Sequence, residues 1–337
     1  EKAGLSGYEI SGVKPNPEIA LAYQGARLCR EGGIDLIIAA GVGSVIDTAK
    51  VIAGSAAYEG DPWDLVKNRV QLTRALPLIA IPTMAATGSE MNSCAVITNP
   101  QTLEKYGWTT EPLRPKVSFL CPRNTYTVSP FQTASGSADI LSHLLEVYLN
   151  REEGFDSMDG FMESMMRSVI RWAPIAMAEG SNEEARANLL WDSEWAINDL
   201  IDRGHSVAWS CHGLEHELSA WYDIPHGLGL AILTPAFMSH VLSEETAPRL
   251  ARFAVHVMGV KEGKNPEKTA RKGIKKLKKF LTTTLQLPGS LSAISIDDSH
   301  FEEMADNDLA WKGKDGIIQG FVPLTKEDLI AIYRKAL

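Results

Sequence analysis

The chain has 337 residues, 45% of them hydrophobic and 22% charged, with a formal net charge of −9. That length exceeds what one hydrophobic core usually serves and predicts two domains, and the composition excludes a fibre, a low-complexity tail or a disordered segment. The acidic balance gives no general attraction to phosphate backbones or anionic lipid, so nucleic acid and membrane surfaces are excluded as partners.

The opening residues Glu1-Lys2-Ala3-Gly4 do not read as a signal peptide, and no apolar run approaches the roughly 20 residues that span a bilayer. Cys29, Cys94, Cys121 and Cys211 show neither disulfide nor paired-zinc spacing, which places the chain in a reducing compartment, the cytoplasm. From about residue 8 to 130, short apolar runs alternate with helical stretches. Asp35 to Ala40, Pro77 to Ile81, Cys94 to Thr98 and Val117 to Leu120 read as buried strands, with helices predicted over 16–31 and 44–58. Strand–helix alternation predicts a mainly parallel sheet.

After Pro130 the period changes. Stretches at 131–150, 157–178, 183–202, 226–242, 247–258, 266–286 and 325–336 carry 3.6-residue periodicity, and no strand-like run follows. In the lysine-rich stretch from 261 to 279, Ala270, Ile274, Leu277 and Leu281 form one apolar stripe, so the lysines are a solvated helix face. The predicted fold is an α/β N-terminal dinucleotide-binding domain over 1–129, Rossmann-like, and an all-α C-terminal metal-binding domain over 130–337, with a cleft between them.

Two loops suggest a dinucleotide. The first predicted strand runs into Gly41-Val42-Gly43-Ser44 and a helix, where backbone N–H groups and the helix N-terminus favour a pyrophosphate. By itself this is a weak signal, since a glycine turn with Ser44 as N-cap occurs in any α/β protein. The second loop, Pro82-Thr83-Met84-Ala85-Ala86-Thr87-Gly88-Ser89-Glu90, bunches hydroxyl residues at the carboxyl end of a neighbouring strand, where ligands of open α/β sheets bind.

A histidine cluster is the strongest signal. His212 and His216 lie four apart, on one helical face, and Pro225-His226-Gly227 punctuates the next helix; three of the chain's eight histidines fall in this segment. Upstream, Asp139 and His143 repeat the four-residue spacing. One carboxylate with three imidazoles suits Fe²⁺ or Zn²⁺ with an open position for substrate. His205, His240, His256 and His300 have no partner at ligand spacing and are read as structural.

With these residues in place, the chain resembles the iron-containing (group III) alcohol dehydrogenases, in the butanol dehydrogenase and broad-range aldehyde reductase branch, from about Ile10 to Leu337. The glycine–serine turn, the Thr-Gly-Ser-Glu loop, the Asp-x-x-x-His pair and the His-Gly-x-x-His…Pro-His-Gly segment occur in family order. The resemblance implies Asp139, His143, His212 and His226 as ligands of Fe²⁺ or Zn²⁺, and His216 as a further histidine beside nicotinamide and substrate that is not a ligand. It implies Gly41, Gly43, Ser44, Asp47, Thr83, Thr87, Asn92, Val96 and Lys105 as the lining of an NAD or NADP site. A homodimer acting on primary alcohols or aldehydes of short to medium chain length, such as butanol and butanal, is implied as well.

Three departures accompany it. Val42 stands where three successive glycines are usual, and Cys121 where an aspartate precedes a proline. The family's first strand and its Gly-Gly-Gly-Ser-type turn, which carries the usual determinant of NAD against NADP, have no counterpart here. Their absence predicts an exposed sheet edge and weakened cofactor binding.

The chemistry expected is hydride transfer between nicotinamide and a substrate carbon, with His216 as proton relay. Two rivals stand beside it. His212-Gly213-Leu214-Glu215-His216 also reads as the His-x-x-Glu-His motif of a zinc peptidase with Glu215 as base, a reading that leaves the dinucleotide loops, Asp139, His143 and His226 unexplained. A catalytically idle family member is the other.

Overall fold

The computed structural model describes residues 7–152 and 154–337. The opening residues Glu1 to Gly4 lie outside them. The N-terminal part begins with α1 (Ile19–Gly32), β1 (Ile37–Gly41), α2 (Gly43–Ala56), α3 (Pro62–Val66) and β2 (Leu78–Pro82). It continues with β3 (Cys94–Asn99), β4 (Glu104–Thr109) and β5 (Val117–Ser118). β1, β2 and β5 form a parallel sheet in the order β1-β2-β5, with Gly41 opposite Pro82. The loops after β1 and β2 therefore leave the same edge side by side, and Thr83 N donates to Gly41 O at 3.0 Å.

Two expectations are corrected here. The run Cys94 to Thr98 does not join the parallel sheet; β3 pairs antiparallel with β4, a strand that Gly107 and flanking polar residues hide from any apolar-run search. Nor is every strand buried. Ile38 on β1 is 60% exposed and Val117 on β5 is 47% exposed, because each strand is an edge of this three-stranded sheet.

The C-terminal part is helix-rich: α4 (Pro130–Tyr148), α5 (Asp156–Ala178), α6 (Glu183–Trp195), α7 (Ser210–Tyr222), α8 (His226–His240), α9 (Ala247–His256), α10 (Pro266–Lys279), α11 (Phe301–Lys312) and α12 (Lys326–Ala336). Local signals start several of them. Ser129 Oγ accepts from Gln132 N with Pro130 in the first turn of α4, Asn182 caps α6, Asn265 precedes Pro266 at α10, and Thr325 and Asp328 form a capping box on α12.

α6 stops at Trp195 rather than 202. Asp199 takes a left-handed conformation, φ 66°, and its carboxylate accepts from Arg114 and Ser93, so tertiary partners break the periodic stretch. The stretch to 286 divides into α10 and a π-helical turn over Phe280–Thr284. α11 buries only Phe301, Met304, Ala305 and Asp308, too few apolar positions to mark it as a helix by periodicity.

One continuous core, running from Ala134 to Ala336, fills the helical part. Two smaller cores serve the other half. One lies among α1, α2, α3, β3 and β4 around Trp108 and Leu65, and the other between α2 and the parallel sheet around Ile46 and Ala80.

Candidate metal centre and cofactor loops

Three helices bring the predicted ligands together. Asp139 and His143 lie one turn apart on α4, His212 sits in the first turn of α7, and His226 opens α8 after Pro225. From Asp139 Oδ1, the distances to Nε2 of His143, His226 and His212 are 3.5, 3.6 and 3.9 Å. The rings of His143 and His212 stack with centroids 4.8 Å apart, and those of His212 and His226 are 5.3 Å apart. Ligand atoms about 2.1 Å from a tetrahedral metal stand about 3.4 Å from one another; those of Asp139, His212 and His226 lie within 4.8 Å of one another, close enough to hold one ion, and His143 Nε2 adjoins them 3.5 Å from Asp139 Oδ1.

The polar atoms agree with that fit. Among the described residues, buried Asp139 Oδ1 and His212 Nε2 have no hydrogen-bond partner, which is costly unless something else satisfies them. Burial pushes the Asp139 carboxyl up to about 6, against the opposing influence of His212 and Lys105. Burial also holds His143 and His226 well below the usual histidine range, in the neutral form that offers a lone pair. The donor set, one carboxylate and three imidazoles, suits Fe²⁺ or Zn²⁺.

His216 lies one turn beyond His212 on α7. Its ring centroid is 5.5 Å from that of His226 and 6.4 Å from that of His212, so it borders the cluster. Two carboxylates back the imidazoles. Glu146 Oε1 accepts from His212 N at 2.8 Å and faces His212 Nδ1 at 3.0 Å, and Glu215 Oε2 faces His226 Nδ1. Glu146 sits three residues after His143, outside the four-residue spacing that marks the histidine pairs, so local sequence does not single it out; Glu215 stands out only as the glutamate of the His-x-x-Glu-His motif.

That reading of Glu215 fails on geometry. The side chain is fully buried, its Oε1 accepts from Ser219 Oγ at 2.5 Å, and its Oε2 is taken up by His226 and by Lys105 Nζ at 3.5 Å. A buried carboxylate so engaged is not placed as the exposed base that the peptidase reading needs.

The cofactor residues divide into two groups. Gly41, Ser44, Thr83 and Thr87 are partly exposed at or just beyond the carboxyl ends of β1 and β2 and at the start of α2, and Val96 is partly exposed in the middle of β3. Gly43 is buried under Thr87, whose hydroxyl and methyl would collide with any Cβ there, and the N-cap of α2 is Val42 rather than Ser44. The second group points inward. Asp47 accepts from Ser89 Oγ at 2.5 Å and Val96 N at 3.1 Å, so it clips α2 to the second loop and to β3. Asn92 Oδ1 accepts from Lys50 Nζ at 2.8 Å and Cys94 N at 3.0 Å.

Lys105 is drawn to the metal end instead. Its Nζ is buried, donates to Asn16 Oδ1 at 3.0 Å and lies 3.5 Å from His226 Nδ1; burial pulls the ammonium down to about 7.

The second loop joins the halves. Gly88 has φ +54°, and a Cβ there would lie 2.5 Å from Ser193 O on α6, while a Cβ on Gly136 of α4 would lie 2.5 Å from Ala85 O. The hydroxyl-rich loop is thus wedged between α2 and the helices of the metal cluster.

The chain matches the family model described as iron-containing alcohol dehydrogenase over residues 1–122, and that of the Fe-containing alcohol dehydrogenase family, C-terminal, over 133–337. It is 43% identical over 329 residues to NADH-dependent butanol dehydrogenase A of Clostridium acetobutylicum, covering 98% of this chain and 84% of that one. An NADPH-dependent aldehyde reductase of Escherichia coli is 33% identical over 79% of this chain and 69% of its own length. Among solved structures, NADH-dependent butanol dehydrogenase A of Thermotoga maritima matches with TM-score 0.94 and 35% identity, covering 99% of this chain and 84% of that one.

Proposed function

The chain belongs to the iron-containing alcohol dehydrogenase family, and from that premise we propose that Asp139, His143, His212 and His226 hold one Fe²⁺ or Zn²⁺ ion beside a dinucleotide seated on the loops after β1 and β2. The protein is a metal-dependent alcohol dehydrogenase or aldehyde reductase that uses NAD or NADP. As substrate we propose a primary alcohol or aldehyde of short to medium chain length, such as butanol and butanal, in keeping with the names of the relatives.

When bound, the metal supplies Lewis acidity that polarises a carbonyl or lowers the pKa of an alcohol, and the nicotinamide supplies or accepts the hydride. The chain's own residues do the rest. Gly41, Gly43 and Ser44 present a turn and a helix start to the phosphates, and Gly43 lets the Thr87 loop close over that turn. His216, at the border of the cluster, takes the proton of the alcohol hydroxyl or returns it to the aldehyde oxygen, directly or through a water.

Residues 1–129 are proposed as the dinucleotide domain and 130–337 as the metal and substrate domain, supported by their separate cores. A homodimer in the cytoplasm completes the proposal; the four free cysteines suit that compartment, and no helix among the described residues is long and apolar enough to cross a membrane.

The observation that carries the reading is the convergence of three imidazole nitrogens on Asp139 Oδ1, with that oxygen and His212 Nε2 unpartnered. Its test is elemental analysis of protein purified without chelator, joined to oxidation of NADH and NADPH with butanal. About one Fe or Zn per chain with turnover supports it. Absence of metal overturns it, and metal without turnover of either cofactor favours an idle member.

A further inference from the structure

We propose that Glu146 and Glu215 are the positioning residues of the metal centre, each locking one imidazole so that Nε2 is the nitrogen offered to the ion. The proposal rests on the ligand reading above and extends it to residues outside the ligand set. A histidine whose Nδ1–H is donated to a carboxylate has its lone pair on Nε2, and its ring can no longer swing.

The geometry does this twice. Glu146 Oε1 receives both His212 N, at 2.8 Å, and His212 Nδ1, at 3.0 Å, so one oxygen holds the start of α7 and the ring that α7 carries. The opposite nitrogen, Nε2, is the buried unpartnered atom 3.9 Å from Asp139 Oδ1. Glu215 Oε2 faces His226 Nδ1 in the same way, and His226 Nε2 lies 3.6 Å from Asp139 Oδ1. Glu215 is itself held by Ser219 Oγ at 2.5 Å and by Lys105 Nζ.

Each pair joins two helices, α4 to α7 through Glu146–His212 and α7 to α8 through Glu215–His226. The three ligand-bearing helices are therefore cross-braced at the level of the ion. His143 has no such brace: its Nδ1 is unpartnered among the described residues, and its ring is set by stacking on His212 and an edge contact with Trp209.

The test measures Zn²⁺ affinity of the chain by competition with a chromophoric chelator, together with the electronic spectrum of the Co²⁺-loaded protein. Glu146→Ala and Glu215→Ala should each weaken Zn²⁺ binding about 10–100-fold and alter the Co²⁺ bands. Glu146→Gln, whose amide oxygen still accepts from both nitrogens of His212, should recover most of the loss. Should an alanine variant not fold, Glu146→Asp keeps the charge and shortens the reach, and it too should shift the Co²⁺ bands. Affinity within about twofold of the parent with an unchanged spectrum, in a folded Ala or Asp variant, overturns the proposal. A parent chain that binds neither Zn²⁺ nor Co²⁺ overturns the ligand reading first, and this one with it.

Discussion

Asp139 Oδ1 lies 3.9 Å from His212 Nε2, both atoms are buried, and neither has a hydrogen-bond partner among the described residues. The two come from different helices, α4 and α7, and their ligand atoms converge with that of His226, with His143 Nε2 3.5 Å from Asp139 Oδ1. Replacing Asp139 or His226 with Ala should remove most of the bound Fe or Zn and abolish butanal reduction, as read by elemental analysis and NADH oxidation. An Asp139→Ala enzyme with a full complement of metal and normal turnover would remove Asp139 from the ligand set.

Metal binding should also stabilise the fold, since an ion that binds only the native state raises stability by mass action. Treatment with a strong chelator is expected to lower the melting temperature of the parent by several degrees and to leave the already metal-poor His226→Ala variant nearly unchanged. Calorimetry with and without chelator reads both. Equal shifts in the two proteins would show that the chelator acts elsewhere.

Gly43 touches Thr87 so closely that a Cβ forces the second loop away from the first. Gly43→Val should therefore weaken NADH or NADPH binding by about tenfold or more, near 1.4 kcal/mol, while metal content is retained. Cofactor titration by nucleotide fluorescence checks it; an unchanged dissociation constant would mean that this turn does not carry the phosphates.

His216 borders the cluster without being assigned as a ligand. His216→Ala should lower kcat about 10²–10⁴-fold, the usual loss on removing a proton-transfer group, with the metal still present. If the metal leaves with the imidazole, His216 is a ligand and the proton route lies elsewhere.

Glu217 on α7 offers a pH-dependent test of the packing around the site. Burial raises its carboxyl to about 8, against the hydrogen bond from Asn307. Between the ordinary value, about 4.5, and 8, the folded state holds this proton more tightly than the unfolded state, so its stabilising effect is full below that window and is lost as pH rises through it. Glu217→Gln, which keeps a partner for Asn307, should flatten this decline and melt higher than the parent near pH 8.5. Parallel melting curves of the two proteins from pH 5 to 8.5 would argue against a raised Glu217.

The helical half was legible because its periodicity runs long, and the caps at Ser129, Asn182, Asn265 and Thr325 mark where helices begin. The four-residue spacings were legible too: Asp139 with His143, and His212 with His216, obey the helical period, so each pair had to share a face once its helix formed. β4 was not, since Glu-Lys-Tyr-Gly-Trp-Thr has no apolar run and becomes a strand only by pairing with β3.

Residue types and their local periods thus determined the two kinds of architecture, the glycine and threonine loops at strand ends, and which side chains were candidates for a metal. Tertiary structure decided what each candidate faces. Asp47 and Asn92 turn inward to brace a loop, Lys105 crosses from the sheet half to His226, and Glu146 and Glu215 stand behind His212 and His226. Local sequence sets a side chain's direction relative to its own helix or strand. The partner it meets depends on how separate elements pack, and those contacts join residues up to 121 positions apart.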